Sequence, residues 1–140
     1  MDLDELTPTD KPKAFTPLHP QTGAEITRNG EPTVFHLWGP DSAKMQAFER
    51  KLNQRRLTVA SRTGKVQITA EAIEDEGIER AVEMIHDWEN VGVSGLDLPY
   101  SAVAARDLVT KWAWLKDQFD EQYRNRGNFL EAAAVPSSTK

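Results

Sequence analysis

The sequence predicts a mostly helical α+β protein: a small N-terminal β-hairpin or meander followed by a three- to four-helix bundle. Three observations point to it. Six of the eight prolines fall in the first forty residues, at 8, 12, 17, 20, 32 and 40, where fixed φ and missing amide donors disfavour helix. After Gly39-Pro40 the apolar residues change to helical spacing. The chain of 140 residues is 39% hydrophobic and 28% charged, a composition suited to one globular domain that buries roughly two-thirds of its unfolded surface.

The elements follow in order. Residues 1–14, containing TPTDKPK, read as a flexible N-terminal arm, and 15–130 as a single globular domain with a β element over 15–40 and helices over 41–130. Within the β element, QTG and RNGEP are turn signals separating the β-prone runs Ala24–Thr27 and Thr33–Trp38. Asp41 or Ser42 then offers an N-cap, and Met45, Phe48, Leu52 and Val59 recur at helical spacing, predicting a helix from about Ser42 to about Ser61. Gly64 ends it and Val66–Ile68 reads as an extended link. Thr69 caps a second helix whose stripe runs Ile78, Ala81, Val82, Ile85, Trp88. Gly92 and Gly95 interrupt the chain. Ser101 caps a last helical region, split near Thr110, with Leu108, Trp112, Leu115, Phe119 and Tyr123 on one face. Ala132–Ala134 extends a final turn, and 131–140 is a flexible tail.

Site chemistry is sparse. Without cysteine there are no disulfides, thiolate metal sites or cysteine nucleophiles, which fits a reducing cytoplasm. The start MDLDELTPTD is acidic and lacks the apolar run of a secretory signal, and no stretch approaches the ~18 apolar residues of a membrane span. His19, His36 and His86 lie in separate segments without a second ligand at metal spacing. His86, with Asp87 and Glu89, reads as a histidine on a helix surface. RTGKV lacks the upstream glycine and the following Ser or Thr of a phosphate loop and reads as a turn. No catalytic constellation, metal or cofactor is expected.

Charge is more informative. Between Lys44 and Lys65 seven basic residues, among them Arg50, Arg55 and Arg56, face the single acid Glu49. Between Glu71 and Asp97 nine acids, including Glu76, Glu79 and Glu83, face the single base Arg80. Three readings remain open: the two helices pack side by side in one molecule; copies meet basic face to acidic face, as a salt-sensitive homo-oligomer; or the arginine cluster binds nucleic acid. The last is disfavoured by the net charge of −5 and the acidic helix beside it. Five of eleven aromatics lie in KWAWLKDQFDEQYRNRGNFL. The rings at 112, 119 and 123, which share the face above with Leu108 and Leu115, are core by default, whereas Trp114 stands off that stripe. Either the N-terminal β element caps it, or it is exposed as an anchor for a partner; wheel position favours exposure. Trp114 and the charged residues Arg50, Arg55, Arg56, Glu76, Glu79 and Glu83 are therefore the candidate protein-binding residues.

The succession PLHPQTGAEI, VFHLWGPDS, a basic helix with RRL and RTGKV, then IHDWENV, LPYSAVAARDLV, KWAWLKDQF and RGNFL resembles the tail assembly chaperones of long-tailed bacteriophages and prophages. The pattern is carried by Trp88, Glu89, Asn90, Pro99, Tyr100, Ser101, Trp112 or Trp114, Arg126, Asn128 and Phe129, and spans about 15 to 130. It departs at Ala104-Ala105, where many relatives place Asn. The resemblance implies a non-catalytic protein in the cytoplasm of the bacterial host, absent from the mature virion. Its partners would be the long helical tape-measure protein, which it keeps soluble, and the tail-tube subunits. In many such phages a programmed frameshift also gives a longer form. The alternatives are a structural tail-completion or connector protein and, further off, a small DNA-binding regulator.

Overall fold

In the computed structural model, which describes residues 2–64 and 69–131, a short antiparallel sheet sits at one end of four helices. The strands are β1 (Lys13–Phe15), β2 (Thr27–Arg28), β3 (Glu31–Pro32), β4 (Val34–Leu37), β5 (Ile85–Glu89), β6 (Gly92–Val93) and β7 (Leu96–Asp97). The helices are α1 (Ala43–Thr63), α2 (Ala70–Met84), α3 (Ala102–Lys111) and α4 (Ala113–Arg124), with 3-10 turns at Leu3–Leu6 and Arg126–Phe129. The sheet has the order β1-β4-β5, and β2–β3 and β6–β7 are separate two-stranded hairpins. The protein is a mixed α+β fold, mostly α.

Local chemistry accounts for most boundaries. Asn29 and Gly30 hold φ of 57° and 80°, the pair of left-handed residues that a two-residue hairpin between β2 and β3 demands. The hydroxyls of Ser42, Thr69 and Ser101 accept from the amides of Met45, Ala72 and Ala104, capping α1, α2 and α3. Gly64, at φ 68°, donates its amide to the Ala60 carbonyl and ends α1. The last helical region breaks at Trp112, two residues past the expected point. The Trp112 amide still bonds to the Leu108 carbonyl while its own carbonyl starts α4.

One element departs from expectation. The second helix was expected to carry Ile85 and Trp88 on its stripe, but it stops at Met84, and both residues lie on β5. The pairing explains the ambiguity. Leu37 faces Ile85 and His36 faces Asp87, so His86 is an extra residue, a bulge. The bulge turns Ile85 and Trp88 to the same buried side, three apart, and a helix would give that spacing too. His86 therefore stands on a strand, edge-on to the Trp38 ring at 5.3 Å, and not on a helix surface.

The core lies between the sheet and the helices. Phe35 of β4 meets Trp88 and Phe119 edge to face, with centroids 5.6 and 4.9 Å away. Around them Leu37, Met45, Ala81, Met84, Ala105, Leu108 and Val109 are buried. Of the stripe on the last helices, Leu108, Leu115 and Phe119 are buried, and Trp112 and Tyr123 pack against the core half-buried.

The segment expected as a loose arm is tied to the end of the described chain. The Thr9 amide donates to the Phe129 carbonyl at 2.7 Å and Glu131 to Thr7 at 2.8 Å, with Pro8 opposite Leu130. Asp10 accepts from the Ala43 amide at 2.9 Å, and Lys13–Phe15 pairs with β4. These partners come from far along the sequence, so TPTDKPK by itself could not announce them. The link at Val66–Ile68 and the proposed turn and tail beyond residue 131 lie outside the described residues.

Candidate protein-binding site

An apolar cleft lies beside α3, which ends at Trp112. On α3, Ala104, Asp107, Leu108 and Lys111 recur at helical spacing along one face. Opposite them stands the β6–β7 hairpin, whose turn is made by Ser94 and Gly95 at φ 55° and 78°. Between hairpin and helix runs a cleft of about 630 Å³ lined by Val93, Leu98, Ala104, Leu108 and Trp112, with Arg106, Asp107, Thr110 and Lys111 on its rim. A smaller cleft of about 170 Å³ shares Val93, Leu108 and Trp112 with it and is walled further by Pro17, Ile26, Trp114 and Leu115. The two clefts share that apolar wall; Trp112 lines both and Trp114 the smaller.

The rings are positioned, not loose. Lys111 Nζ lies 5.0 Å from the Trp112 ring centroid, a contact that restrains the ring and places a cation at the rim. Trp114, expected to be exposed, is half-buried and packs against the core. Continuation of a straight helix would have turned it away. The break at Trp112 resets the helix, and Pro17 and Ile26 of the N-terminal β element line the same cleft as its ring. The ring is flanked by the β element and only part of it reaches the surface, at the smaller cleft, so it is not the exposed anchor that wheel position favoured.

The charged candidates fare differently. Arg55 makes a two-point contact with Glu79 at 2.7 and 3.2 Å, and Arg56 a two-point contact with Glu76. Glu83 meets Lys44 at 3.7 Å. Five of the six charged candidates are therefore engaged between α1 and α2, while Arg50 is exposed and makes no ion pair among the described residues. Deeper between the helices, Glu49 accepts both Arg80 nitrogens at 2.8 and 3.0 Å and the Tyr123 hydroxyl at 3.0 Å. Arg80 holds the Glu49 carboxyl below its ordinary range against the opposing effect of burial, with help from Tyr123. Burial first, and the Glu49 charge second, pushes the Tyr123 hydroxyl up. The trio joins α1, α2 and α4.

A second depression of about 650 Å³ is lined by Glu31, Trp88, Glu89, Asn90, Asp97 and Tyr100, among others. Two of its three acids have partners, Asp97 in Arg28 and Glu89 in His36 at 2.6 Å. Asn90, at φ 58°, donates its amide to the carbonyls of Arg28 and Glu31, stapling the β2–β3 turn to β5. Among the described residues no group of three or more His, Asp or Glu is placed to hold a metal ion. No helix there is long and apolar enough to cross a membrane.

Sequence reasoning singled out Trp114 but missed Val93, Pro17 and Ile26, which line the same cleft, and Leu98 in the adjoining one. The only local signal for Val93 and Leu98 was the turn around Gly95, flanked by apolar residues. The chemistry that this surface offers is burial of apolar side chains beside a rim of mixed charge. No family model, curated protein or solved structure matches the chain.

Proposed function

We propose that this protein is a tail assembly chaperone of a long-tailed bacteriophage or prophage, which holds apolar segments of the tape-measure protein until tail-tube subunits assemble around it. It acts in the cytoplasm of the bacterial host without catalysis and leaves before the virion is complete. The observation that carries the binding reading is the pair of adjoining apolar clefts lined by Trp112 and, in the smaller, Trp114. Tryptophan is the residue most enriched among those that dominate protein-binding energy, and it acts best at the centre of an apolar patch. A long client with repeated apolar stripes would fill such clefts with one short segment at a time, so modest affinity per site adds up along the client. The identity of that client rests on the resemblance of the segments around Trp88, Pro99–Ser101 and Arg126–Phe129.

The test is co-expression with the long helical protein encoded beside it in its source genome. A soluble client that co-elutes with several copies of this chain is the expected result. Trp114→Ala should weaken that retention by about thirtyfold, the size of a binding residue worth ~2 kcal/mol, and a melting curve of the variant controls for any loss of fold. A client that stays insoluble, together with this chain in purified particles, would instead identify a structural tail protein.

A further inference from the structure

The β6–β7 hairpin is a shared wall. Val93 and Leu98 line the larger apolar cleft, Gly92 and Val93 the smaller one, and Asp97 and Leu98 the depression beside Tyr100. Where the hairpin stands therefore sets the width of each. Its base is held by backbone and core. The Leu98 amide donates to the Val91 carbonyl at 2.9 Å, and Trp88 Nε1 donates to the Leu98 carbonyl at 2.7 Å. Beyond that base Val93 packs against the core from the cleft side. Among the described residues only one side chain from outside makes a hydrogen bond or ion pair with the arms Gly92–Asp97. It is Arg28 of β2, through Asp97.

Arg28 is itself firmly placed. The Asn90 side chain donates to its carbonyl at 2.9 Å and to that of Glu31 at 2.8 Å, which ties its backbone to the end of β5. Its side chain is 25% exposed, against 83% for Asp97. To reach Asp97 it lies across Gly92. A Cβ at that position would stand 2.7 and 2.9 Å from the Arg28 Cδ and Cζ, and nearer still to Nε. Glycine alone leaves that passage open. A pair with so exposed an acid adds little to stability, so its main consequence is geometric: one contact fixes the free arms of the hairpin against β2.

We propose that Arg28 is a positioning residue for the apolar clefts: without lining either of them, it passes over Gly92 to Asp97 and fixes how far the β6–β7 hairpin stands from α3. A client segment between Val93, Leu98 and α3 then depends on Arg28 without touching it. That consequence rests on these clefts being the client's surface, whereas the position of the hairpin does not.

The test measures the hairpin directly. The full-length chain has no cysteine, so Leu96→Cys and Val103→Cys, at positions 71% and 73% exposed, can carry a pair of nitroxide labels. Leu96 pairs with Val93 and shares its side of the hairpin, and Val103 lies one helical turn before Asp107 on the facing α3. In this doubly labelled parent, electron paramagnetic resonance gives the distribution of distances across the cleft. Arg28→Ala and Asp97→Asn should each shift or broaden that distribution with the circular dichroism unchanged. Gly92→Ala should do the same while Arg28 is present and add nothing to Arg28→Ala, because the new Cβ then has no guanidinium to displace. A distribution unchanged in Arg28→Ala, or a Gly92→Ala effect that persists without Arg28, overturns the proposal. No client enters this measurement. In co-expression, Arg28→Ala should retain severalfold less client; a shifted distance with full retention would instead remove these clefts as the client's surface and leave the role of Arg28 standing.

Discussion

Beside the sheet, α1 and α2 meet through Met45, Ala81 and Met84, all without accessible surface, under the Phe35–Trp88–Phe119 ring cluster. Further from the sheet the same helices meet through Arg55–Glu79 and Arg56–Glu76, with Leu57 69% exposed. The first region removes apolar surface from water, at roughly 25 cal/mol per Å². The second exchanges hydrated ions for partly hydrated ion pairs, each worth about 0–1 kcal/mol. The difference teaches that one helix pair can divide its labour: the sheet end holds the fold, and the projecting end sets register and presents charge.

The largest expected effect breaks the first region. Phe119→Ala removes the ring that touches both Phe15 and Phe35 and should cost about 3–5 kcal/mol in urea unfolding; a cost below 1 kcal/mol would show that the ring cluster does not dominate stability. Next is Gly39→Ala. An added Cβ would stand 2.5 to 2.8 Å from the Phe129 side chain, so the variant should lose about 1–3 kcal/mol through overpacking, read as a lower melting temperature.

Glu49 lies where the two regions join, and it sharpens the comparison through pH. Its carboxyl is held below the usual carboxylate range in the folded protein because Arg80, and then Tyr123, keep it ionised. A depressed folded value means stabilisation that is present above the unfolded value and lost as pH falls through the folded one. Stability should therefore decline on acidification below about pH 4.5, and Glu49→Gln should make that decline shallower while costing about 1–2 kcal/mol at neutral pH, since the group is partly solvated. An acid limb of unchanged slope would remove Glu49 as its cause. The smallest effect belongs to the projecting end: Arg55→Ala should change stability by about 0.2–1 kcal/mol, and less still in high salt.

At most of the helix ends, where a cap or a left-handed glycine sets the boundary, the sequence was readable. Ser42, Thr69, Ser101 and Gly64 mark helix ends by chemistry confined to one turn. The misreadings share a cause in distant partners. β5 looked helical because a bulge at His86 places Ile85 and Trp88 on one side, and only β4, some fifty residues earlier in the chain, reveals the bulge. The arm looked loose because its amide partners lie at Phe129 and Glu131. Of the candidate site, Trp114 was legible as an odd residue on a wheel. The smaller cleft was not, since it joins Pro17 and Ile26 to Val93 and to α3 and α4. The basic and acidic runs announced complementary helices but not the individual pairs.

The order of strands in the sheet also bears on how the chain is made. β4 sits between β1 and β5, yet β5 is synthesised only after α1 and α2. A ribosome delivering this chain would release β1 and β4 as a two-stranded ribbon with one edge open, and such a ribbon is marginal by itself. Phe35 would wait for Trp88, and then for Phe119, before its ring had neighbours. Sheet closure of this kind joins residues far apart along the chain, which slows folding relative to a simple bundle of helices. The nascent protein thus carries an exposed strand edge until β5 has emerged and an incompletely covered aromatic until α4 has, the same hazard that it is proposed to suppress in its client.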